Sequence, residues 1–275
     1  RVMIKVKITS SIDANKIGRQ ESLCTPHIYD LNEYIGTGVH EMTICVSNVG
    51  YKTKGGHLTS PDTQTNWNGI TGRIELIGYK NAHAENVMLW CDIHNKTVRV
   101  TANITGGKSG KAVISAESFN SERSHTPEVQ SFEYTNGKLD ALYKMGDDCL
   151  LWSEHEPNLY KLKIDIDGDV SEHIIGMREF RTEGGKFTIN GEKTFLRGKH
   201  DGMIFPKTAF APTDLEEWLR IMKISKSYGM NHYRYHTCCP PEAAFVAADM
   251  LGIYMEPQLP FWGTITEEGE EHFLH

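Results

Sequence analysis

The pattern of hydrophobic and polar positions along the chain changes near residue 180. Before that point, apolar and polar residues alternate in short runs separated by turn residues, and no helical period persists. Alternation with a period of two is typical of β-strands that bury one face. The first part of the chain is therefore predicted to be all-β. The predicted strands are Met42–Ser47, Arg73–Ile77, Val87–Trp90, Thr97–Ile104, Lys111–Ala116 and Leu159–Ile164.

The spacing of these strands indicates two β-sandwiches in succession. Residues 79–177 have the length and strand spacing of one immunoglobulin-like sandwich, and residues 1–78 are predicted to be part of another sandwich. The cysteine-tryptophan-cysteine layout of antibody domains is missing. Cys91 and Cys149 could still pair as a disulfide, but the sequence favours two free thiols.

After Phe180 the chain is predicted to form a hairpin and then a strand. Asn190-Gly191 lies between two short β-runs, and this dipeptide suits a two-residue primed turn, which needs positive φ at both positions. The next strand is predicted near Phe195–Gly198.

Two helices and two further strands follow. Thr213 with Glu216 forms a predicted capping box, and the helix is expected to stop at Gly229. Pro241 is predicted at the first position of a second helix, which Gly252 closes. The order of strand, helix, strand, helix and strand predicts right-handed parallel crossovers, as in an α/β barrel. The two predicted strands are His232–Tyr235 and Ile253–Met255.

Composition and charge narrow the range of partners. The 275 residues are 39% hydrophobic and 24% charged, with a formal net charge of −7. A chain without a basic field attracts neither nucleic acid nor an anionic membrane surface, so we expect neither as a partner and favour a neutral polar substrate. The sequence predicts no signal peptide and no spanning run, and it leaves the compartment and a homo-oligomer open.

No cofactor and no metal site are expected from the sequence. The six cysteines show no regular spacing, and the adjacent pair Cys238-Cys239, although close to His232 and His236, is not the spaced pair typical of zinc sites. Asp165–Asp169 is too short for a calcium loop. A structural divalent cation is therefore not supported by any motif.

Several motifs in order resemble family 2 of the glycoside hydrolases, the group of β-galactosidases, β-glucuronidases and β-mannosidases. The resemblance covers nearly the whole chain. The matching segments are Tyr29–Tyr34, Gln64–Ile70, Leu151–Ser153, Pro157–Tyr160, Gly176–Arg181, Asn190-Gly191, Leu196–Gly198, Asn231–Arg234, His236 and Asp249–Tyr254.

The resemblance implies a multidomain fold of β plus α/β type. Residues 1–78 would be the C-terminal part of a sugar-binding-like jelly roll and residues 79–177 the immunoglobulin-like sandwich. Residues 178–275 would be the first part of a (β/α)8 TIM barrel. It also implies hydrolysis of a terminal β-linked sugar with retention, by two glutamates that belong to later barrel strands. No catalytic carboxylate is therefore assigned here, and Glu256 is set aside.

The resemblance assigns substrate-side roles to two residues on the second barrel strand. Arg234 matches an arginine beside the nucleophile, where a guanidinium holds a carboxylate ionised and in place. A structural ion pair inside the barrel is the alternative. His236 matches a histidine that binds sugar hydroxyls, and a core histidine bonded to a carbonyl is its alternative.

Further residues are expected around the same pocket. His200 and Asp201 match a pocket-lining loop, with ordinary loop residues as the alternative. Trp262 presents a ring that suits stacking on a sugar face, or burial in the core. The acidic residue expected near the third strand is Gln258, which puts a nearby metal in doubt. Asp62, Asn66 and Trp67 are candidates for the jelly-roll rim, although such a tryptophan more often packs a sandwich.

The leading hypothesis is thus a retaining, exo-acting β-glycosidase of family 2 type, closest to β-galactosidases, with a carbohydrate as partner. We expect the 275 residues alone to be inactive, because both catalytic glutamates should lie beyond them. A non-catalytic carbohydrate-binding or adhesion protein built from sandwiches is the alternative, and a scaffold without a sugar site is a third.

Overall fold

The computed structural model describes residues 7–22, 25–47, 69–70 and 72–264. The chain divides into two compact units. The sandwich unit consists of residues 79–197 and 248–254, and the mixed unit consists of residues 1–78, 198–247 and 255–275.

The described part of the chain contains sixteen strands and two helices. The strands are β1 Lys7–Ile12, β2 Asn15–Gln20, β3 Met42–Ser47, β4 His83–Asp92, β5 Thr97–Thr105, β6 Ser109–Ser118, β7 Gln130–Thr135, β8 Lys138–Lys144, β9 Tyr160–Ile166, β10 Asp169–Ile175, β11 Phe180–Glu183, β12 Lys186–Ile189, β13 Glu192–Thr194, β14 Gly198–Asp201, β15 His232–Tyr235 and β16 Tyr254–Pro257. The helices are α1 Leu215–Ser227 and α2 Glu242–Leu251.

A seven-stranded antiparallel sheet forms most of the sandwich unit, which also contains the three-stranded sheet β11-β12-β13. The seven strands lie in the order β10-β9-β6-β7-β8-β5-β4, and β4 also contacts β9 and β10, so the sheet folds over one core. Alternate side chains of β5, β6, β8 and β9, such as Val98 and Val100 on β5 or Leu162 and Ile164 on β9, are buried. The period-two pattern therefore predicted these strands, and the all-β character of the region is confirmed.

The hairpin predicted at Asn190-Gly191 is confirmed. Asn190 has φ 53° and Gly191 φ 83°, as a primed turn requires, and the turn joins β12 to β13. The Asn190 side chain accepts a hydrogen bond from the Glu179 amide at 2.9 Å and donates one to the Trp152 carbonyl at 3.0 Å. These bonds tie the hairpin to the loop that carries Trp152. The strand predicted near residues 195–198 begins only at Gly198.

The mixed unit begins with a three-stranded antiparallel sheet of order β2-β1-β3. The strand predicted at Arg73–Ile77 is wrong, because this segment has no regular secondary structure and pairs with no other described strand. Its alternating side chains do not bury a face, since Ile74 is 51% and Leu76 68% exposed. Alternation alone does not make a strand where no described neighbour offers hydrogen bonds.

Helix α1 begins one residue later than predicted. Asp214, not Thr213, is the N-cap, and its carboxylate accepts a hydrogen bond from the Glu217 amide at 2.9 Å. Asp and Thr both cap helices, but a carboxylate also interacts favourably with the positive end of the helix dipole. Gly229, with φ 80°, follows the helix and ends it as predicted.

Helix α2 also begins one residue after its predicted start. Pro241 precedes the first helical residue, Glu242, and the proline carbonyl accepts a hydrogen bond from the Ala244 amide at 2.9 Å. Gly252, with φ 69°, closes the helix as predicted. This left-handed residue ends the helix, and β16 begins two residues later, at Tyr254.

The last sheet has the order β14-β15-β16. Strands β14 and β15 are parallel, with Gly198 opposite His232 and His200 opposite Arg234. Helix α1 connects them, and α2 connects β15 to β16. The predicted alternation of strands and helices is therefore present over these three strands.

Candidate functional site

The sheet β14-β15-β16 has an apolar face and a polar face. Tyr233 and Tyr235 are fully buried on one side of β15, where Tyr233 shares a hydrogen bond of 2.5 Å with Ser225 of α1. Alternation along a strand then directs the intervening residues to the other side. We call this other side the polar face, and it carries His200, His232, Arg234, His236, Glu256 and Trp262.

Glu256 contacts two nitrogen-bearing side chains of β15 on the polar face. Its Oε1 lies 3.4 Å from Nε of Arg234, and its Oε2 lies 3.4 Å from Nε2 of His232. The Nη groups of Arg234 donate no hydrogen bond to any described residue. The guanidinium is thus held along one edge, and its outer fork remains available for a second anion.

Three rings lie side by side at the end of β15. The ring centroids of His200 and His236 are 4.9 Å apart in an edge-to-face arrangement, and those of His236 and Trp262 are 5.9 Å apart. Trp262 is 40% exposed. The structure therefore brings His200, His236 and Trp262 together, next to Arg234.

The carboxylate of Asp201 contacts residues that are close to it in the chain. It accepts a hydrogen bond from the Met203 amide at 2.7 Å and pairs with Lys199 Nζ at 2.9 Å, while the residue is only 7% exposed. The Asp201 carbonyl accepts the His236 amide at 2.9 Å. Asp201 thus positions the backbone of His236 through its own backbone. Its side chain lies on the side of β14 opposite to that of His200.

His232 occupies the inner part of the polar face. Burial lowers the pKa of its imidazole, and the neighbouring Glu256 carboxylate acts in the opposite direction. A Cβ atom at Gly198 would lie 2.5 Å from Nδ1 of His232, so the glycine makes room for this ring. The space for the His232 ring therefore depends on having glycine, which has no side chain, at position 198 of β14.

Gln258 connects Glu256 to the turn after β15. Its Nε2 donates to Glu256 Oε1 at 3.3 Å, and its Oε1 accepts from the Thr237 amide at 3.0 Å. Thr237 has φ 49°, an unfavourable value for a β-branched residue. Sequence reasoning missed Glu256 and Gln258 as parts of the site. The signal was their spacing of two residues, with Glu256 on β16 and Gln258 directly after its last residue.

Asp62, Asn66 and Trp67 lie outside the described residues. Within the described ranges, no three His, Cys, Asp or Glu side chains group closely enough to hold a metal ion. The described helices include none with the length and apolarity to cross a membrane. Cys91 and Cys149 are both free thiols.

Comparison with known proteins agrees with the resemblance found in the sequence. Residues 82–178 match the family model of the glycosyl hydrolases family 2. A β-galactosidase of Leuconostoc mesenteroides is 21% identical over 260 residues, which are 89% of this chain and 25% of that enzyme. A β-galactosidase of Thermoanaerobacter pseudethanolicus is 25% identical over 273 residues, which are 94% of this chain and 36% of that enzyme.

The solved structures extend the likeness to the fold. A β-glucuronidase of Parabacteroides merdae superposes with a TM-score of 0.75 at 16% identity, over 99% of this chain and 37% of that one. The chain thus spans about a quarter to a third of the length of the curated relatives that it matches. The resemblance to family 2 is confirmed, and the relatives are glycosidases.

Proposed function

From its relationship to family 2 of the glycoside hydrolases, we propose that the natural protein carrying this chain is a retaining, exo-acting β-glycosidase. It removes a terminal β-linked sugar, and β-galactosides are the first substrates to test because the first two relatives are β-galactosidases. The observation that carries the proposal is the polar face, where Arg234, His200, His236 and Trp262 converge at the ends of adjacent strands.

Each of these side chains has a role that its chemistry supports. The outer fork of Arg234 holds the nucleophilic carboxylate ionised and oriented. His236 and His200 hydrogen-bond sugar hydroxyls, and Trp262 stacks on the apolar face of the sugar ring. Asp201 acts through its backbone carbonyl, which accepts a hydrogen bond from the His236 amide. Asp62, Asn66 and Trp67 remain proposed rim residues.

The strands β14, β15 and β16, of which the first two are parallel, are proposed to be the opening part of a (β/α)8 barrel. In such a barrel the functional groups lie at the C-terminal ends of the strands, which is where these side chains lie. Residues 1–78, 79–177 and 178–275 would be jelly roll, immunoglobulin-like sandwich and barrel. The acid/base and nucleophile glutamates would follow residue 275, about 5 Å apart in a retaining enzyme. The 275 residues alone would then bind sugar weakly and hydrolyse none.

The test is a panel of p-nitrophenyl β-glycosides assayed with the natural protein and with the 275-residue chain. We expect release of p-nitrophenol by the former only, and proton NMR should show a product of retained β-configuration first. Release with inversion would contradict the retaining mechanism. Binding of the same sugars by a folded natural protein without any hydrolysis would instead favour the carbohydrate-binding alternative.

A further inference from the structure

We propose that Glu256 and Gln258 are positioning residues of the candidate site, Glu256 for Arg234 and Gln258 for His236. The inference rests on the proposed function, because it concerns how that site is held in its working geometry. Neither residue needs to touch the sugar.

Glu256 fixes one edge of the guanidinium and leaves the other edge unoccupied. Its Oε1 engages Nε of Arg234 at 3.4 Å, whereas the Nη pair has no hydrogen-bond acceptor among the described residues. An Nε held in this way turns the Nη fork away from β16. A planar fork in a fixed orientation accepts a second carboxylate in a bidentate manner, which a freely rotating arginine does less well.

The second oxygen of Glu256 keeps the carboxylate itself in place. Oε2 lies 3.4 Å from His232 Nε2, and the His232 ring fills the space beside Gly198, where a Cβ atom would lie 2.5 Å from its Nδ1. Gln258 adds a third contact, from its Nε2 to Oε1 at 3.3 Å. Three neighbours, namely His232 and Arg234 on β15 and Gln258 just after β16, restrict the rotation of this carboxylate, which in turn positions Arg234.

Gln258 extends the same network to the turn after β15. Its Oε1 accepts the Thr237 amide at 3.0 Å, directly after His236, and Thr237 is left-handed with φ 49°. Backbone strain of this kind persists only where surrounding contacts hold it. Gln258 is one such contact, and it therefore sets where the turn presents the His236 ring.

The ion pair is too exposed to serve mainly for stability. The side chains of Arg234 and Glu256 are 38% and 48% exposed. Exposed ion pairs stabilise a fold very little. A purely structural role therefore predicts that removing Glu256 changes little, whereas a positioning role predicts a clear loss of catalysis.

The first experiment compares Glu256→Ala with Glu242→Gln in the natural protein. Glu242 is the matched control, because it also pairs with an arginine, Arg73, at 3.1 Å in the same unit, and it is 62% exposed. We expect Glu256→Ala to lower kcat/KM about 100-fold, mostly through kcat, because small misplacements of catalytic groups have effects of that size. Glu242→Gln should leave kcat/KM within about twofold of wild type, as surface substitutions do. Equal kcat/KM for both variants would overturn the proposal.

A double-mutant cycle with Arg234→Ala tests whether Glu256 acts through the arginine. If it does, the double variant should be no slower than Arg234→Ala alone, because residues in one network are not additive. Independent, multiplying losses would overturn the proposal. A melting temperature for each variant separates this result from unfolding.

The Gln258 arm uses two variants. Gln258→Glu keeps the acceptor for the Thr237 amide and loses the donor to Glu256, whereas Gln258→Leu loses both. We expect Gln258→Leu to raise KM several-fold more than Gln258→Glu, since His236 binds the ground-state sugar. An unchanged KM in Gln258→Leu would overturn this half of the proposal.

A readout without activity keeps the inference separate from the proposed function. In nitrogen-15 NMR spectra, the Nε–H signal of Arg234 should shift and exchange faster with water in Glu256→Gln, but not in Glu242→Gln. If the wild-type protein hydrolysed no glycoside, the proposed glycosidase function would be refuted. The spectrum would still test whether Glu256 positions Arg234. An Arg234 Nε–H signal that is unchanged in Glu256→Gln would overturn the positioning role of Glu256.

Discussion

Two helix-terminating glycines offer a quantitative test of the geometry around α2 and β16. Gly229 and Gly252 both follow a helix and both are left-handed, with φ 80° and 69°. They differ in their surroundings. A Cβ atom at Gly252 would lie 2.7 Å from the Glu154 carbonyl oxygen and 2.8 Å from its Cα, whereas one at Gly229 would meet no described atom within 4 Å.

The two alanine variants should therefore differ in the free energy of unfolding. A left-handed conformation costs an L-residue about 1–2 kcal/mol, and alanine recovers about 0.4–1 kcal/mol by restricting the unfolded chain. Gly229→Ala should then destabilise by about 1 kcal/mol. Gly252→Ala adds an overpacking cost of about 1–3 kcal/mol against backbone that cannot rotate away, for a total of about 2–4 kcal/mol.

The assay is urea unfolding followed by tryptophan fluorescence and far-ultraviolet circular dichroism. Asparagine variants separate the two contributions, because asparagine tolerates the left-handed conformation better than alanine does. Gly229→Asn should return close to wild type, and Gly252→Asn should remain destabilised by the contact with Glu154. Equal midpoint shifts for the Gly229 and Gly252 variants would refute the close approach of Gly252 to Glu154.

Two further predictions concern buried hydroxyl and imidazole groups. Tyr233→Phe should destabilise by about 1–2 kcal/mol, because it leaves the hydroxyl of Ser225 without its 2.5 Å partner, whereas Tyr235→Phe should be neutral or stabilising, since the Tyr235 hydroxyl is buried without a hydrogen bond to any described residue. Thermal melts of the two variants check this, and equal losses would contradict it. Burial lowers the pKa of His125, whose Nδ1 lies 2.8 Å from the Tyr160 hydroxyl. As the pH falls, the unfolded chain therefore binds a proton at His125 before the folded chain does. Stability should be complete above the unfolded pKa of about 6.5 and should fall as pH drops below it, and urea midpoints at several pH values should show a smaller fall in His125→Gln. An identical pH dependence in wild type and variant would contradict that assignment.

Local features of the fold could be predicted from the sequence because their causes are local. The left-handed residues at Asn190-Gly191, Gly229 and Gly252 ended or turned elements where expected. The segment Arg73–Ile77 alternates as a strand does, but pairing requires a neighbour that alternation cannot reveal. Helix starts were displaced by one residue because adjacent residues, such as Thr213 and Asp214, compete for the same cap.

The candidate site was predictable only in part for a related reason. The family resemblance led us to expect Arg234 and His200 around one pocket, and the structure places them opposite each other on β15 and β14. Glu256 was set aside as one of several acidic residues near the end of the chain. Its contacts depend on how β16 lies beside β15, which the sequence does not specify.

The most direct test of the central claim is a crystal structure of the natural protein after inactivation by a 2-deoxy-2-fluoro β-glycoside, which traps the covalent intermediate of a retaining enzyme. The claim predicts that the sugar lies on the polar face. His236 should be within hydrogen-bond distance of a hydroxyl, and the Nη fork of Arg234 should face the carboxylate that carries the sugar. A trapped sugar on a carboxylate remote from Arg234 and His236 would contradict the account.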